Sequence, residues 1–541
     1  MTTATSPESE SAPVASTADV GGEHSPRQAL LNIVSNYGSL FVSSLTNILL
    51  TPVLLSTLGT ADYGILRLSQ SLFGYLGLLD IGVGSSIIYF VARYHAARAQ
   101  HELNRYVSTV FNTFLLLAVF AIVVCALAAG PLIDLLGIPP ETASTAEWVI
   151  RVSAVHFAAN LLGGVFGGVL VGRGRYDINN IIAILYLLSS GVGTYVLIRL
   201  GYGLLPIVVL TTAAACLTAA LRMLWASLHR LYTIAPGKIY RSVLASAMAY
   251  GFWSFLNNAA SELSFATTDM LILSRFVGIS SVAVYSVALA PVALVSQLVF
   301  QAVDVFQPTI TGLAFRKDGS GRGWEDAAPG GRADVGRAFL LLTKTSIVLG
   351  WGAVLLLCLV GEQLLILWIG DIGDAAGELL IALAFAYGWN FVGHAAGLVL
   401  LGIARHRLLG VMAIISATTN VVLSVILVQR FGVIGVAFGT IMVMGVTDMI
   451  ILPRYICRLV ALPLAVYGSM IVRAVLCFLA SLGVGLMAGQ ASRGPLGTLG
   501  ASVLQIVASG PLFVVACWLA IFSPQERALL MGAARGLRRR A

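Results

Sequence analysis

Charge is what this chain has least of. Only 10% of its 541 residues are Asp, Glu, Lys or Arg, where a soluble globular domain carries about 25%. Hydrophobic residues make up 58%, and the mean hydropathy is +0.92. So few charges cannot coat a soluble protein of this length, and lipid must be the solvent. That excludes a soluble enzyme, a disordered chain and a nucleic-acid binder. The net charge of +8 is then a matter of membrane topology. No CxxC pair occurs. Cys125, Cys216, Cys358, Cys457, Cys477 and Cys517 are scattered through apolar runs, so neither a disulfide framework nor a metal site is expected. Catalytic signatures are missing as well. There is no GxxxxGK[ST] loop for nucleotide phosphates and no GxSxG. His101-Glu102 is followed by Arg105 where a zinc protease needs its second His. No loop on the outer side is long enough to form an acceptor-holding domain. Neither an enzyme nor a cofactor is expected.

What is present is a succession of apolar runs. Residues 1–28 are polar, lack the features of a signal peptide and read as a disordered cytoplasmic tail. Beyond them, runs long enough to span a bilayer recur to about residue 522, giving about fourteen helical spans. The first two, 31–57 and 64–92, are separated at Leu58-Gly59-Thr60-Ala61-Asp62. The seventh covers 242–275, the eighth 280–310 and the ninth 336–361. The runs are continuous rather than alternating, which argues against a transmembrane β-barrel. Basic residues gather at the even-numbered breaks, among them Arg93, Arg98, Arg105, Arg173, Arg175, Arg405 and Arg407. The odd-numbered breaks carry Asp134, Glu141, Glu147, Glu362, Asp371, Asp374 and Glu378, with Arg199 and Arg430 as exceptions. The positive-inside rule therefore places both termini in the cytoplasm.

The chain also repeats itself. Asn36-Tyr37-Gly38 and Leu58-Gly59 find counterparts in Ala249-Tyr250-Gly251 and Val277-Gly278. Asn160 and Gly172 are spaced like Asn390 and Gly402. Gly172-Arg173-Gly174-Arg175 answers Gly402-Ile403-Ala404-Arg405, and Arg199-Leu200-Gly201 answers Arg430-Phe431-Gly432. Six spans per half bring both halves in from the same side, a parallel repeat about the membrane normal. The expected architecture is all-α: an N-lobe over 29–232, a C-lobe over 233–461, and two extra helices with a basic tail over 462–541.

Polar residues inside the spans point to function. Asn32, Asn36 and Asn47 fall on one helical face of span one with Ser39 and Ser43, and Asn257 or Asn258 on a stripe of span seven. Small polar residues also serve helix packing, but matched Asn stripes in both halves favour a hydrated cavity between them. Charges at membrane depth are costly and tend to face cavities. The candidates are Asp80 in span two, Glu262 and Asp269 in span seven, Asp304 in span eight and Lys344 in span nine, with Arg67 and Arg275 nearer the outer ends. The cations available to such a cavity are Arg67, Arg275 and Lys344, and an anionic cargo would draw on one of them. A carboxylate among Asp80, Glu262, Asp269 and Asp304 would act as counter-charge or coupling site. Gly-rich surroundings give Asp80 a second reading, as the cap of a broken helix.

Leu49 to Arg105 resembles the oligosaccharide flippases of lipopolysaccharide, O-antigen and exopolysaccharide synthesis, within the multidrug/oligosaccharidyl-lipid/polysaccharide exporter superfamily. Thr51-Pro52, Leu58-Gly59 with Asp62-Tyr63-Gly64, the run Gly77-Leu78-Leu79-Asp80-Ile81-Gly82 and Glu102-Leu103-Asn104-Arg105 carry the likeness. It implies export of an undecaprenyl-diphosphate-linked oligosaccharide across the inner or plasma membrane by alternating access. Membrane lipids and other polysaccharide assembly proteins would be its partners. The membrane potential, worth roughly 2.3 kcal/mol per charge per 100 mV, or an ion gradient would drive it. Relatives often follow the Asp of span seven with Arg, whereas Met270 follows Asp269 here. A small-molecule antiporter of the same superfamily is the alternative, followed by a membrane-embedded polymerase or ligase.

Overall fold

The computed structural model describes residues 26–80, 83–264, 266–314, 329–403, 405–492, 497–528 and 531. Residues 1–25 of the expected tail, most of the charged loop after span eight, and Arg538-Arg539-Arg540 lie outside the described residues. So do the side chains of Asn32, Asn36, Asn257, Asn258 and Glu262, whose backbone is helical.

Among the described residues every regular element is helical. Lipid offers the backbone no hydrogen-bond partner, so a spanning chain must bond internally. The first helix, α1 (Pro26–Gly77), is kinked at Gly59, with φ 77° and ψ 176°, a conformation glycine adopts without steric cost. A 3₁₀ turn at Leu78–Asp80 leads into α2 (Val83–Ala96). There follow α3 (Gln100–Leu136), α4 (Pro140–Gly172), α5 (Tyr176–Arg199) and α6 (Leu204–Leu228). The second half begins with α7 (Arg241–Ser264), α8 (Ala266–Phe276), α9 (Ile279–Asp304) and α10 (Gln307–Ala314). It continues through α11 (Pro329–Ser346), α12 (Gly352–Ile369), α13 (Asp371–Gly402), α14 (His406–Phe431), α15 (Val433–Val446) and α16 (Leu452–Leu459). The closing pair is α17 (Leu464–Ser492) and α18 (Gly497–Ala520). Among the described residues twelve helices are long and apolar enough to cross a membrane, against about fourteen expected. Two features make up the difference: the first two spans run together through the Gly59 kink, and the seventh lies partly outside the described residues.

The internal repeat reappears in the backbone. Arg173 and Ile403 end α4 and α13 with nearly equal dihedrals, φ −91°, ψ 8° and φ −94°, ψ 12°. The amides of Arg175 and Arg405 reach back to the carbonyls of Leu170 and Leu400 at 2.9 and 2.8 Å. Gly59 and Gly278 both combine positive φ with extended ψ. The equivalent helices α4 and α13 are the most enclosed spans, with 56% and 67% of their most apolar stretch buried. By contrast, Leu116, Phe120 and Leu127 project outward from α3, as a lipid-facing surface requires.

The two groups of helices meet where α1 packs against α8 and α9, and where α2 packs against α7. Ser71 Oγ donates to Thr267 O at 2.7 Å, and the Tyr89 and Tyr250 rings stack with centroids 4.4 Å apart. The connection between the halves lies along α3. There Asn104, Ser108 and Asn112, one turn apart, accept the amides of Thr233, Ala235 and Gly237 at 2.9, 3.0 and 3.1 Å. The closing pair packs on itself and on α12.

Candidate functional site

A cavity of about 630 Å³ opens at the junction of the halves. Its first wall is α1, which contributes Ser43, Asn47, Thr51 and, beyond the kink, Arg67. The other walls are Met270 of α8, Ser286 and Gln297 of α9, and Leu364, Leu367 and Trp368 of α12. The lining mixes apolar surface with hydroxyls and amides, and among the described residues it contains one cation and no Asp or Glu.

Arg67 and Asn47 are thus brought together on one cavity. Arg67 Nε donates to Tyr63 Oη at 2.8 Å and Nη1 to Gln70 Oε1 at 3.1 Å. The guanidinium carbon lies 5.0 Å from the centre of the Tyr63 ring. All these partners are neutral, and among the described residues no carboxylate pairs with Arg67. Asn47 Nδ2 donates to the Ser43 carbonyl of its own helix at 3.0 Å.

The other two cations lie elsewhere. Arg275 is exposed at the end of α8, beside the α3–α4 turn at Gly137. Lys344 is buried on α11, and its Nζ donates to both carboxylate oxygens of Glu526 at 2.7 Å. Glu526 follows the last helix, 182 residues away in sequence, and periodicity cannot link such positions. Burial alone would raise its pKa, but the Lys344 ammonium and the Ser523 amide bind the carboxylate and hold it below the usual glutamate value.

The acidic candidates separate in the same way. Asp80 Oδ1 accepts the Gly84 amide at 2.5 Å, so it caps α2 where the helix restarts. Asp304 is exposed, with Oδ1 2.7 Å from His394 Nε2. Asp269 is wholly enclosed in the second half. Tyr285 Oη donates to its Oδ2 at 2.7 Å, and Thr440 Oγ1 stands 3.5 Å away. The Ser424 hydroxyl faces the same carboxylate, and Asn420 Nδ2 donates to Thr440 Oγ1 at 3.1 Å. Among the described residues Asp269 Oδ1 and Asn420 Oδ1 are buried without a partner. Sequence reading finds Asp269 but misses this nest. Its signal is the four-residue spacing of Asn420 and Ser424 on α14, one turn apart on a single face.

Comparison with known proteins adds the family. Residues 29–313 match the family model described as polysaccharide biosynthesis protein. The chain is 21% identical over 453 residues to the uncharacterized membrane protein EpsK of Bacillus subtilis (strain 168), covering 79% of this chain and 83% of that one. Its fold is similar to the lipid II flippase MurJ in an inward closed conformation, with a TM-score of 0.68 and 14% identity over 90% of this chain and 98% of the other. It is also similar to an inward-facing multidrug resistance MATE family transporter of the MOP superfamily, with a TM-score of 0.63 and 18% identity over 79% and 98% of the two chains. At these identities the structural likeness is one of fold. The chain belongs to the polysaccharide biosynthesis protein family and is a multi-pass membrane protein whose two-lobed fold is similar to those of the two solved structures.

Proposed function

We propose that this protein is a flippase that moves a lipid-linked oligosaccharide with an anionic, diphosphate-type headgroup from the inner to the outer leaflet for cell-surface polysaccharide synthesis. In this reading about fourteen spans leave both termini in the cytoplasm. The N-lobe over 29–232 and the C-lobe over 233–461 rock about the cavity by alternating access, with the extra helices of 462–541 alongside. Other polysaccharide assembly proteins supply and consume the cargo. The observation that carries the reading is Arg67, a cation on the cavity wall whose partners are all neutral. In a low-dielectric cavity an unneutralised guanidinium attracts an anion far more strongly than in water. A cationic drug would call instead for carboxylates, and among the described residues the lining holds none. The apolar surface of Leu364, Leu367 and Trp368 beside the amides of Asn47 and Gln297 suits a ligand that is part lipid and part sugar. The fold shared with a lipid II flippase supports a lipid-linked cargo.

Asp269 is the coupling residue in this proposal. A carboxylate wholly enclosed among Tyr285, Thr440 and Ser424, with one oxygen unpartnered, has room to take up and release a proton or small cation as the lobes move. The membrane potential adds its pull on any headgroup charge that stays unneutralised in transit.

The test is charge reversal in cells with surface glycan as the readout. Arg67→Glu at normal protein level is expected to reduce surface glycan to background, and Arg67→Lys to retain part of it. Normal export by Arg67→Glu overturns the anionic-cargo mechanism.

A further inference from the structure

A second enclosed carboxylate lies at mid-span in the second half, and sequence reading does not single it out. Asp448 sits in a π turn, Thr447–Ile451, between α15 and α16. Such wide turns within helices are frequently found at functional sites. The residue is 8% exposed. Helix α13 makes room for it: a Cβ at Gly393 would stand 2.4 Å from Asp448 Cγ.

Its two oxygens meet only neutral groups. Asn390 Nδ2 donates to Asp448 Oδ2 at 3.0 Å. Oδ1 stands 3.2 Å from Thr447 Oγ1, and that same hydroxyl stands 2.9 Å from the Val443 carbonyl. A threonine hydroxyl has one hydrogen. The carbonyl and Oδ1 compete for that hydrogen, so Oδ1 is left without a full donor of its own. The remaining surroundings agree. Tyr467 of α17 lies near Asp448 and Cys457, and among the described residues its buried hydroxyl has no partner. Among the described residues no Lys or Arg pairs with Asp448, and an isolated anion at this depth would be costly. One turn from Asn390 along α13, His394 Nε2 meets Asp304 Oδ1 at 2.7 Å, and the Asp304 side chain is 48% exposed.

We propose that Asp448 is a proton-binding site of the second half, protonated in this conformation. The proposal goes beyond the cargo reading and does not depend on it.

A reporter is built in. Trp389 precedes Asn390 in α13, approaches α15 at Gly445 and packs against Trp351 with ring centroids 4.8 Å apart. The purified full chain, without cargo, is titrated with pH while tryptophan emission is followed. A titrating emission shift is expected in the parent protein. It is expected to be lost in Asp448→Asn, which keeps the shape of the side chain, and lost in Trp389→Phe. Should Asp448→Asn fail to fold, Asp448→Glu is expected to move the titration midpoint. A titration unchanged in folded Asp448→Asn, or unmoved by Asp448→Glu, overturns the proposal. Because no cargo is present, the outcome is separate from that of the Arg67 experiment.

Discussion

The two halves share a backbone and differ in charge. α4 and α13 end in the same dihedrals and are the most enclosed helix of their halves. Yet Asn160 on α4 is exposed and His156 lies only beside the Tyr186 ring, while Asn390 and His394 on α13 are bonded to Asp448 and Asp304. α1 up to Gly59 and α6 contain no acidic residue; their counterparts α7–α8 and α15–α16 hold Asp269 and Asp448. The first half instead presents Arg67 to the cavity. A duplicated scaffold can therefore keep its packing while its halves take up different chemistry. A carboxylate survives enclosure only where hydroxyls and amides meet it, and Tyr285, Thr440, Asn390 and Thr447 provide these in the second half alone.

The two interior cations sharpen the contrast, and their difference predicts the largest effect on stability. Lys344 is clamped by Glu526 in a pair whose side chains are 9% and 23% exposed, whereas Arg67 faces the cavity without a carboxylate. Removing one partner of such a pair strands the other. Lys344→Met is expected to lower stability by about 3 kcal/mol, and Lys344→Met with Glu526→Gln to recover most of it, as measured by melting in one detergent. Arg67→Met should cost far less. Equal losses would erase the distinction between a structural and a cavity cation. The clamp also has a pH sign. The Glu526 pKa lies below its usual value, so its contribution is present above the ordinary glutamate pKa and lost as pH falls through the depressed one. Lys344→Met should flatten acid sensitivity in that window.

The acids give the second prediction. Asp80 in the first half is a helix cap, and Asp269 in the second has no capping role. Asp80→Asn keeps an acceptor for the Gly84 amide and should leave export within about twofold, while Asp80→Ala should cost about 1 kcal/mol of stability. Asp269→Asn should keep the fold and lower export at least about tenfold, roughly 1.4 kcal/mol in the limiting step. The reverse ranking would move coupling into the first half.

Much of this was legible in residue order. Long apolar runs separated by Gly-containing breaks specify helices, and Gly59, Gly278, Arg173 and Arg405 carry the repeat in sequence as they do in backbone geometry. Arg67 and Asn47 are identifiable as polar groups at membrane depth, but that they line one cavity comes from the kink at Gly59, which turns one part of α1 against the other. Asp448 escapes because its meaning depends on a π turn and on the close approach of Gly393, both products of tertiary packing. Glu526 escapes because the pair it makes closes a loop of 182 residues. The linker clamp on α3 is a different omission: Asn104, Ser108 and Asn112 recur at steps of four, so their shared face is readable, but nothing in that spacing names the segment they hold.

The smallest expected effect tests the seam between the halves. Pro52 has no N–H, so the carbonyl four residues earlier, that of Ile48, loses its helical partner. Trp368 of α12 fills the gap: its indole Nε1–H donates to Ile48 O at 2.8 Å. The first half thus leaves an acceptor open and the second half closes it, at the edge of the cavity that both line. Trp368→Phe keeps most of the aromatic surface and deletes the donor, at an expected cost of about 1 kcal/mol. Pro52→Ala restores a backbone N–H able to bond Ile48 within the helix, so in that background Trp368→Phe should cost only the lost packing. A double-mutant cycle in one detergent measures the difference, expected near 0.5–1 kcal/mol. If the two substitutions are additive, the Trp368 bond does not compensate for Pro52, and the halves are joined here by shape alone.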